Sequence, residues 1–209
     1  MLMDFSSLVE KYNLKIKGVI HIGAHDGGEY FVYKKHNIKN TMFFEPIPHI
    51  FGRLKNNIGE DNATLFEMAL GNKTGRAIIY FGTDGINDSC SSMLEPDTFL
   101  RQYPNFNFSQ MFEVSIDKLD NIEFNRDEYN FINIDVQGYE LEVFKGAVNS
   151  LNDVDYIMSE VNSEHLYRDC VLVDELDSFL SDFGFMRVET LWRKGRGWGD
   201  ALYIKNNLL

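Results

Sequence analysis

Residues 18–27 read GVIHIGAHDG, and this stretch decides the fold. Its first half is a short, almost wholly apolar run, which predicts a buried β-strand. Gly23 and Gly27 bracket a sharp turn, where glycine lets a ligand approach the backbone closely. A helix is predicted next, over about residues 28–36. Strand, glycine turn and helix together form the first unit of a parallel α/β sheet.

The rest of the chain repeats this alternation of buried strands and amphipathic helices. Strands that alternate with helices imply right-handed crossovers, and hence a mostly parallel sheet with helices on both faces. The last two predicted strands, 185–192 and 200–205, have no helix between them and should form an antiparallel hairpin at one end of the sheet. The other predicted strands lie at residues 41–45, 64–69, 76–81, 111–116, 129–135 and 154–160.

The chain is predicted to fold as a single domain over residues 1–209. Its length of 209 residues suits one domain, and neither an internal repeat nor a linker-like stretch divides it. Residues 1–16 are predicted to contain an N-terminal helix, because apolar residues recur there at a helical spacing. Residues 82–110 are rich in glycine, serine, asparagine and proline, and are predicted to form a long loop or lid.

The charge balance argues against several classes of partner. The 32 acidic and 20 basic residues give a net charge of −12, and so negative a surface repels phosphate backbones and anionic lipids. No apolar run approaches the roughly 20 residues that span a membrane, and the sequence does not open with the pattern of a signal peptide. The two cysteines, Cys90 and Cys170, form no metal-binding pair and no disulfide framework. We therefore expect a cytoplasmic protein whose main partner is neither nucleic acid nor membrane.

Glycines and acidic residues follow the predicted strands, at the edge where parallel sheets bind their ligands. Glu45 ends the second strand, 22 residues after Gly23, and a carboxylate there can accept two hydrogen bonds from a ribose diol. The glycine turn and the helix N-terminus beyond it can hold an anion such as a carboxylate. This combination predicts a nucleoside ligand.

The type of nucleoside follows from the turn and from its charges. A dinucleotide site prefers G-x-G-x-x-G, so that the backbone meets the pyrophosphate, but here His25 stands at the second glycine position. Asp26, Glu45 and Asp135 would repel a pyrophosphate and attract a cation such as a sulfonium. The terminal hairpin is also typical of sulfonium-dependent methyltransferases, which is an argument from fold analogy.

Five motifs gather these residues: HIGAHDG at 21–27, FEP at 44–46, ALGN at 69–72, SSML at 91–94 and IDVQGYELEVFKGA at 134–147. Together they resemble the FkbM-type methyltransferases, with the last motif the most specific. These are class I enzymes that use S-adenosylmethionine to methylate hydroxyls, often on sugars or natural products. The similarity extends from about residue 18 to the end of the chain.

The resemblance implies a Rossmann-like class I methyltransferase sheet and a set of cofactor residues. Glu45, followed by Pro46, would bind the ribose. Met68 and Ala69 would flank the adenine, and Ser92 would lie near the cofactor. The methionine part would lie on the turn formed by Gly23, Ala24, His25, Asp26 and Gly27.

Methyl transfer to a hydroxyl is an in-line displacement in which a proton must also be removed. Alignment of the reacting atoms can lower the barrier by roughly 7–11 kcal/mol, and a positioned base adds about 10²–10⁴ in rate. Asp135 ends a central predicted strand and is our first choice of base, although a carboxylate there could instead orient the cofactor or cap the next helix. Glu160 and His165 are the alternatives, since both follow the next strand. These three residues could also hold Mg²⁺ or Mn²⁺, but their spacing does not require a metal and we favour none.

A basic and aromatic cluster interrupts this acidic chain in the final hairpin. Trp192, Arg193, Arg196 and Trp198 could bind the acceptor, because indole faces suit sugar rings and arginines pair with acidic or phosphorylated groups. The alternative is a solvated hairpin tip with packed tryptophans.

The function that we expect is S-adenosylmethionine-dependent O-methylation of a hydroxyl on a sugar or glycan. Such an enzyme would act beside glycosyltransferases or as one module of a larger enzyme. Two other interpretations stay open at this point. One is an NAD-dependent oxidoreductase or sugar epimerase, and the other is a nucleoside-binding module without activity.

Overall fold

The computed structural model describes residues 2–59 and 63–209. The helices in these ranges are α1 (Phe5–Tyr12), α2 (Tyr30–Lys35), α3 (Pro48–Ile58), α4 (Phe99–Gln102), α5 (Glu140–Lys145) and α6 (Val173–Ser181). The strands are β1 (Gly18–Ile22), β2 (Asn40–Phe44), β3 (Ala63–Phe66), β4 (Ala69–Leu70), β5 (Gly75–Thr83), β6 (Asn107–Asp117), β7 (Phe131–Ile134), β8 (Tyr156–Asn162), β9 (Phe185–Trp192) and β10 (Trp198–Lys205).

The main sheet has the strand order β3-β2-β1-β7-β8-β10-β9. The pairs among β3, β2, β1, β7 and β8 are parallel, and β10 is antiparallel to both of its neighbours. This arrangement confirms the prediction of a mostly parallel sheet with a C-terminal antiparallel hairpin. The order reverses at β1, which pairs with β2 on one side and with β7 on the other, so a ligand site is expected beyond these strand ends.

Helices cover both faces of the sheet, as predicted. Successive residues of β1 belong to different cores, because side chains alternate between the faces of a strand. Val19 packs with α1 and α2, through side chains such as Phe5 and Tyr33. Ile20 packs with α5 and α6, through side chains such as Phe144. Burial on both faces explains why β1 reads as a nearly continuous apolar run.

A second, three-stranded sheet in the order β4-β6-β5 corrects two details of the sequence analysis. The strand expected at 64–69 is broken after Phe66, and β4 joins this second sheet. The loop expected at 82–110 is shorter, since β5 continues to Thr83 and β6 begins at Asn107. The two strands pair along a long antiparallel ladder. Its backbone hydrogen bonds extend both strands into polar residues, where no apolar pattern predicts a strand.

The first 16 residues contain α1, in line with the helix predicted there. The Asp4 side chain caps its N-terminus by accepting a hydrogen bond from the Ser7 N–H at 2.8 Å. Asn13 ends it in the left-handed conformation, with φ of 50°. Across residues 2–59 and 63–209, no helix combines the length and the apolar character that crossing a membrane would require.

Candidate active site

A cleft of about 600 Å³ opens at the carboxyl ends of β1, β2 and β7, where the main sheet faces the second sheet. Most of the cofactor residues proposed from the sequence line this cleft. They are Gly23, His25, Glu45, Pro46, Met68, Ala69 and Asp135.

The glycine turn shapes one end of the cleft. Gly23 has φ of 77°, and a Cβ atom there would collide with the backbone oxygen of Asp135, so only glycine fits between β1 and β7. The N–H groups of Gly23 and Ala24 both donate to the Phe44 carbonyl at 3.0 Å, which ties the turn to the end of β2. The other residues of the turn, except His25, do not line the cleft. Ala24 is buried in the core, whereas Asp26 and Gly27 are not among the residues that line the cleft.

Glu45 is buried at the edge of the cleft, with 5% of its surface exposed. Its Oε1 accepts the Ile47 N–H at 2.8 Å, and its Oε2 accepts the His25 N–H at 3.0 Å. Burial raises the pKa of Glu45 to about 7, although these two backbone donors partly oppose the rise. Each carboxylate oxygen retains a second lone pair, so the group can still accept hydrogen bonds from a pair of hydroxyls.

The opposite wall of the cleft is apolar. Met68 and Ala69, proposed for the adenine, lie there beside Leu70 and Ile79 of the second sheet. Ile47 and Ile50, from the start of α3, complete the wall. A flat aromatic base would remove this surface from water.

An ion-pair cluster that the sequence analysis missed joins the loop after β5 to the glycine turn. Asp88 lies 2.7 Å from His25 Nε2 and 2.7 Å from an Arg53 guanidinium nitrogen. Burial alone would raise the pKa of Asp88, but the hydrogen bonds from His25 and Arg53 outweigh it and hold the pKa below its ordinary value. Asp88, Ser89 and Ser91 also line the cleft, so the cluster holds this loop over the site.

Asp135 and Glu160 lie close together at the ends of neighbouring strands. Asp135 lines the cleft, and its Oδ1 accepts a hydrogen bond from the Gln137 side chain at 2.7 Å. Glu160 is buried and accepts from the same side-chain amide at 2.9 Å. Burial, reinforced by Asp135 and Glu140, raises the pKa of Glu160 well above its ordinary value. Asp135 is therefore the carboxylate available to a ligand.

The other residues named from the sequence lie elsewhere. His165 is exposed, and its Nδ1 is 3.1 Å from the Cys170 carbonyl. Ser92 is buried behind the cleft and donates to the Gln137 carbonyl at 2.8 Å. Among the residues that the structure describes, no cluster of His, Cys, Asp and Glu is arranged to hold a metal ion. His165 therefore does not join Asp135 and Glu160 in one site.

The four hairpin residues proposed for the acceptor divide into two pairs. Trp192 and Arg193 line a separate surface depression. Arg196 places its guanidinium 4.5 Å from the Tyr103 ring centroid, and Trp198 Nε1 donates to the Tyr103 hydroxyl at 2.9 Å. The second pair thus anchors the segment after α4.

Comparison with known proteins agrees with this architecture. The sequence model of the family described as Methyltransferase FkbM domain matches residues 21–186, which confirms the resemblance drawn from the motifs. The 2-O-methyltransferase NoeI of Sinorhizobium fredii is 28% identical over 159 residues, covering 72% of this chain and 65% of NoeI. This chain therefore spans slightly less than two thirds of the length of that relative.

Solved structures share the Rossmann-like fold. An S-adenosylmethionine-dependent methyltransferase from Clostridium acetobutylicum aligns with a TM-score of 0.53 at 8% identity, covering 98% of this chain and 93% of that one. Magnesium protoporphyrin IX methyltransferase from Synechocystis, solved with its bound methyl donor, aligns with a TM-score of 0.52 at 10% identity, covering 96% and 76%. At such low identity the likeness establishes the fold alone, and it confirms the predicted class I methyltransferase sheet.

Proposed function

Since the chain belongs to the FkbM methyltransferase family, we propose that it is an S-adenosylmethionine-dependent O-methyltransferase that acts on a hydroxyl of a sugar or glycan. The observation that carries the proposal is one cleft with Glu45 and Asp135 at the ends of two parallel strands. Glu45 offers the acceptor atoms that a ribose diol needs, and Asp135 offers a base. The name of NoeI, a 2-O-methyltransferase, supports oxygen as the methylated atom.

The residues of the cleft fit S-adenosylmethionine in shape and in charge. The apolar wall around Ala69 and Ile79 suits the adenine, and Glu45 suits the ribose. The glycine turn leaves room for the methionine part. Carboxylates attract the positively charged sulfonium, and His25, held against Asp88 at the second glycine position, fills space that a pyrophosphate would need.

The chemistry asks two things of the protein. When bound, S-adenosylmethionine supplies a methyl carbon to the acceptor oxygen, and the bond from that carbon to sulfur breaks with its electron pair left on sulfur. The protein must hold the acceptor hydroxyl in line with that bond, which is the larger part of the rate gain. Asp135 must accept the hydroxyl proton and later pass it to water. Glu160 is buried and does not line the cleft, and the His165 ring lies against the Cys170 carbonyl, so the proposal uses neither of them as base and includes no metal.

We infer the acceptor and the cellular setting from the charge of the chain and from its cysteines. The net charge of −12 disfavours a nucleic acid acceptor, and a neutral sugar is consistent with the acidic surroundings of Asp135. Cys90 and Cys170 are free thiols, which suits a cytoplasmic protein. A protein that acts together with glycosyltransferases, or as one module of a larger enzyme, would have such an acceptor available.

A methyl-transfer assay tests the proposal. The protein is incubated with S-adenosylmethionine and a panel of sugars and methyl glycosides, and S-adenosylhomocysteine and methyl ethers are measured. We expect acceptor-dependent product from the wild type and a loss of roughly 10²-fold or more in Asp135→Asn. Ser150→Ala, a change at a buried residue that does not line the cleft, serves as the control. A wild type that binds S-adenosylhomocysteine but methylates no sugar would contradict the choice of acceptor.

A further inference from the structure

A glutamine separates the two carboxylates of the site. The Gln137 side chain places Nε2 at 2.7 Å from Asp135 Oδ1 and at 2.9 Å from Glu160 Oε2. Both N–H groups of the amide are therefore used, one for each carboxylate. The glutamine is 8% exposed, so water competes little for these hydrogen bonds.

Neighbouring groups fix the direction of this amide. Its Oε1 lies 2.9 Å from the Tyr167 hydroxyl, which lies equally close to the Cys90 carbonyl, and the backbone carbonyl of Gln137 accepts the Ser92 hydroxyl at 2.8 Å. Rotating the amide by half a turn would place Oε1 against Asp135 and Glu160 and would remove the donors that face both carboxyl groups. The backbone is specific as well, since Gln137 has φ of 56° and Gly138 has φ of 94°. The hydrogen bonds and the left-handed turn together fix the position of the Gln137 side chain.

The hydrogen bond from Gln137 matters because the groups around Asp135 are mostly acidic. Burial lowers the pKa of His21, so that imidazole stays neutral and provides no cation. Within residues 2–59 and 63–209, the other titratable neighbours are acidic, and burial raises the pKa of each. They are Glu160 on β8, Glu140 on α5, Asp200 on β10, Cys90 in the loop after β5, and Tyr167. The Gln137 amide is the side-chain donor that faces Asp135.

We propose that Gln137 is a positioning residue, whose amide aligns Asp135 with the acceptor hydroxyl and keeps it apart from Glu160, with the Tyr167 hydroxyl beside its Oε1. This inference rests on the proposed function, with Asp135 as base. Oδ1 is held by the amide, and Oδ2 is left for the hydroxyl proton. Without the amide, Asp135 and Glu160 could share one proton between them, and Asp135 would then no longer be free to accept another.

The first test needs no acceptor. The carboxyl carbon of Asp135 is followed by NMR in protein labelled with carbon-13 at aspartate, with and without S-adenosylhomocysteine, and is assigned by its absence in Asp135→Asn. Gln137→Met removes the donors, and Gln137→Glu adds a third carboxyl. At neutral pH we expect the Asp135 carboxyl resonance to move away from its wild-type position in both variants, because each changes the group that faces Oδ1. An unchanged resonance in both variants would overturn the proposal.

The second test separates positioning from folding. Gln137→Met should lower kcat roughly 10-fold or more while KM for S-adenosylmethionine stays within about twofold, and Gln137→Glu should move the acidic limb of the pH profile upward. Tyr167→Phe removes one hydroxyl and should lower kcat in the same direction by less. Active wild type, inactive Asp135→Asn and unchanged Gln137 variants would refute this inference alone. A wild type that transfers no methyl group, with the NMR shifts as expected, would refute only the proposed function.

Discussion

The substitution Glu45→Gln tests the assignment of the ribose site. It keeps the size of the buried side chain and removes its charge. In the native protein both carboxylate oxygens accept backbone donors, from Ile47 and from His25. The amide has only one oxygen, so one of these donors loses its partner, and one hydroxyl of a bound diol meets an N–H group.

The magnitude follows from the bonds that change. A hydrogen bond to a charged group is worth about 1.5–3 kcal/mol. Losing one such bond to the ribose should raise the Kd of S-adenosylhomocysteine roughly 10- to 150-fold. The pKa of Glu45 is about 7 in the free protein, and diol hydroxyls donate to the ionised form. Wild-type affinity should therefore fall by about tenfold in total between pH 8 and pH 6, as the ionised fraction of Glu45 falls.

Isothermal titration calorimetry with S-adenosylhomocysteine between about pH 6 and pH 8 measures both effects. Glu45→Gln should bind weakly and with little pH dependence across this range. Glu189→Gln is the control, because Glu189 pairs with Lys11 outside the cleft and loses the same charge. Wild-type affinity in Glu45→Gln, or a wild type whose affinity does not change with pH, would refute the assignment.

Three further predictions address the loop, the turn and the buried acids. Asp88→Asn removes the charge that holds the loop over the cleft, so stopped-flow dissociation of S-adenosylhomocysteine should be roughly 10-fold faster, and an unchanged rate would contradict the role of the cluster. Gly23→Ala should lower the free energy of unfolding by at least about 1–3 kcal/mol in urea, because its φ of 77° is left-handed. Burial raises the pKa of Glu45 and Glu140 to about 7 and of Asp200 to about 6, so the folded state binds more protons than the unfolded state. Thermal unfolding should then show stability falling as pH rises from about 5 to 8, whereas a rise over this range would count against these shifts.

Part of this site could be predicted from sequence because local patterns encode it. The glycine turn and Glu45 follow short apolar runs, and the edge of a parallel sheet brings such strand ends together. The same reasoning placed Asp135 correctly at the end of β7, beside the turn.

The other features of the site could not be predicted, because they depend on the direction of side chains and on partners that are distant in sequence. His165 follows β8 in sequence, yet its side chain turns to the Cys170 carbonyl. Asp88 lies in a polar stretch without periodicity, and its partner Arg53 is 35 residues away on α3. Arg196 was predicted to bind an acidic acceptor, and no sequence pattern indicated that its guanidinium lies over the Tyr103 ring.

The central claim is that the cleft binds an adenosine-bearing methyl donor. Calorimetric titration of the wild-type protein with S-adenosylhomocysteine, and in parallel with NAD⁺, tests it most directly. We predict one S-adenosylhomocysteine bound per chain and no heat of binding from NAD⁺. Binding of NAD⁺ with no response to S-adenosylhomocysteine would contradict the account.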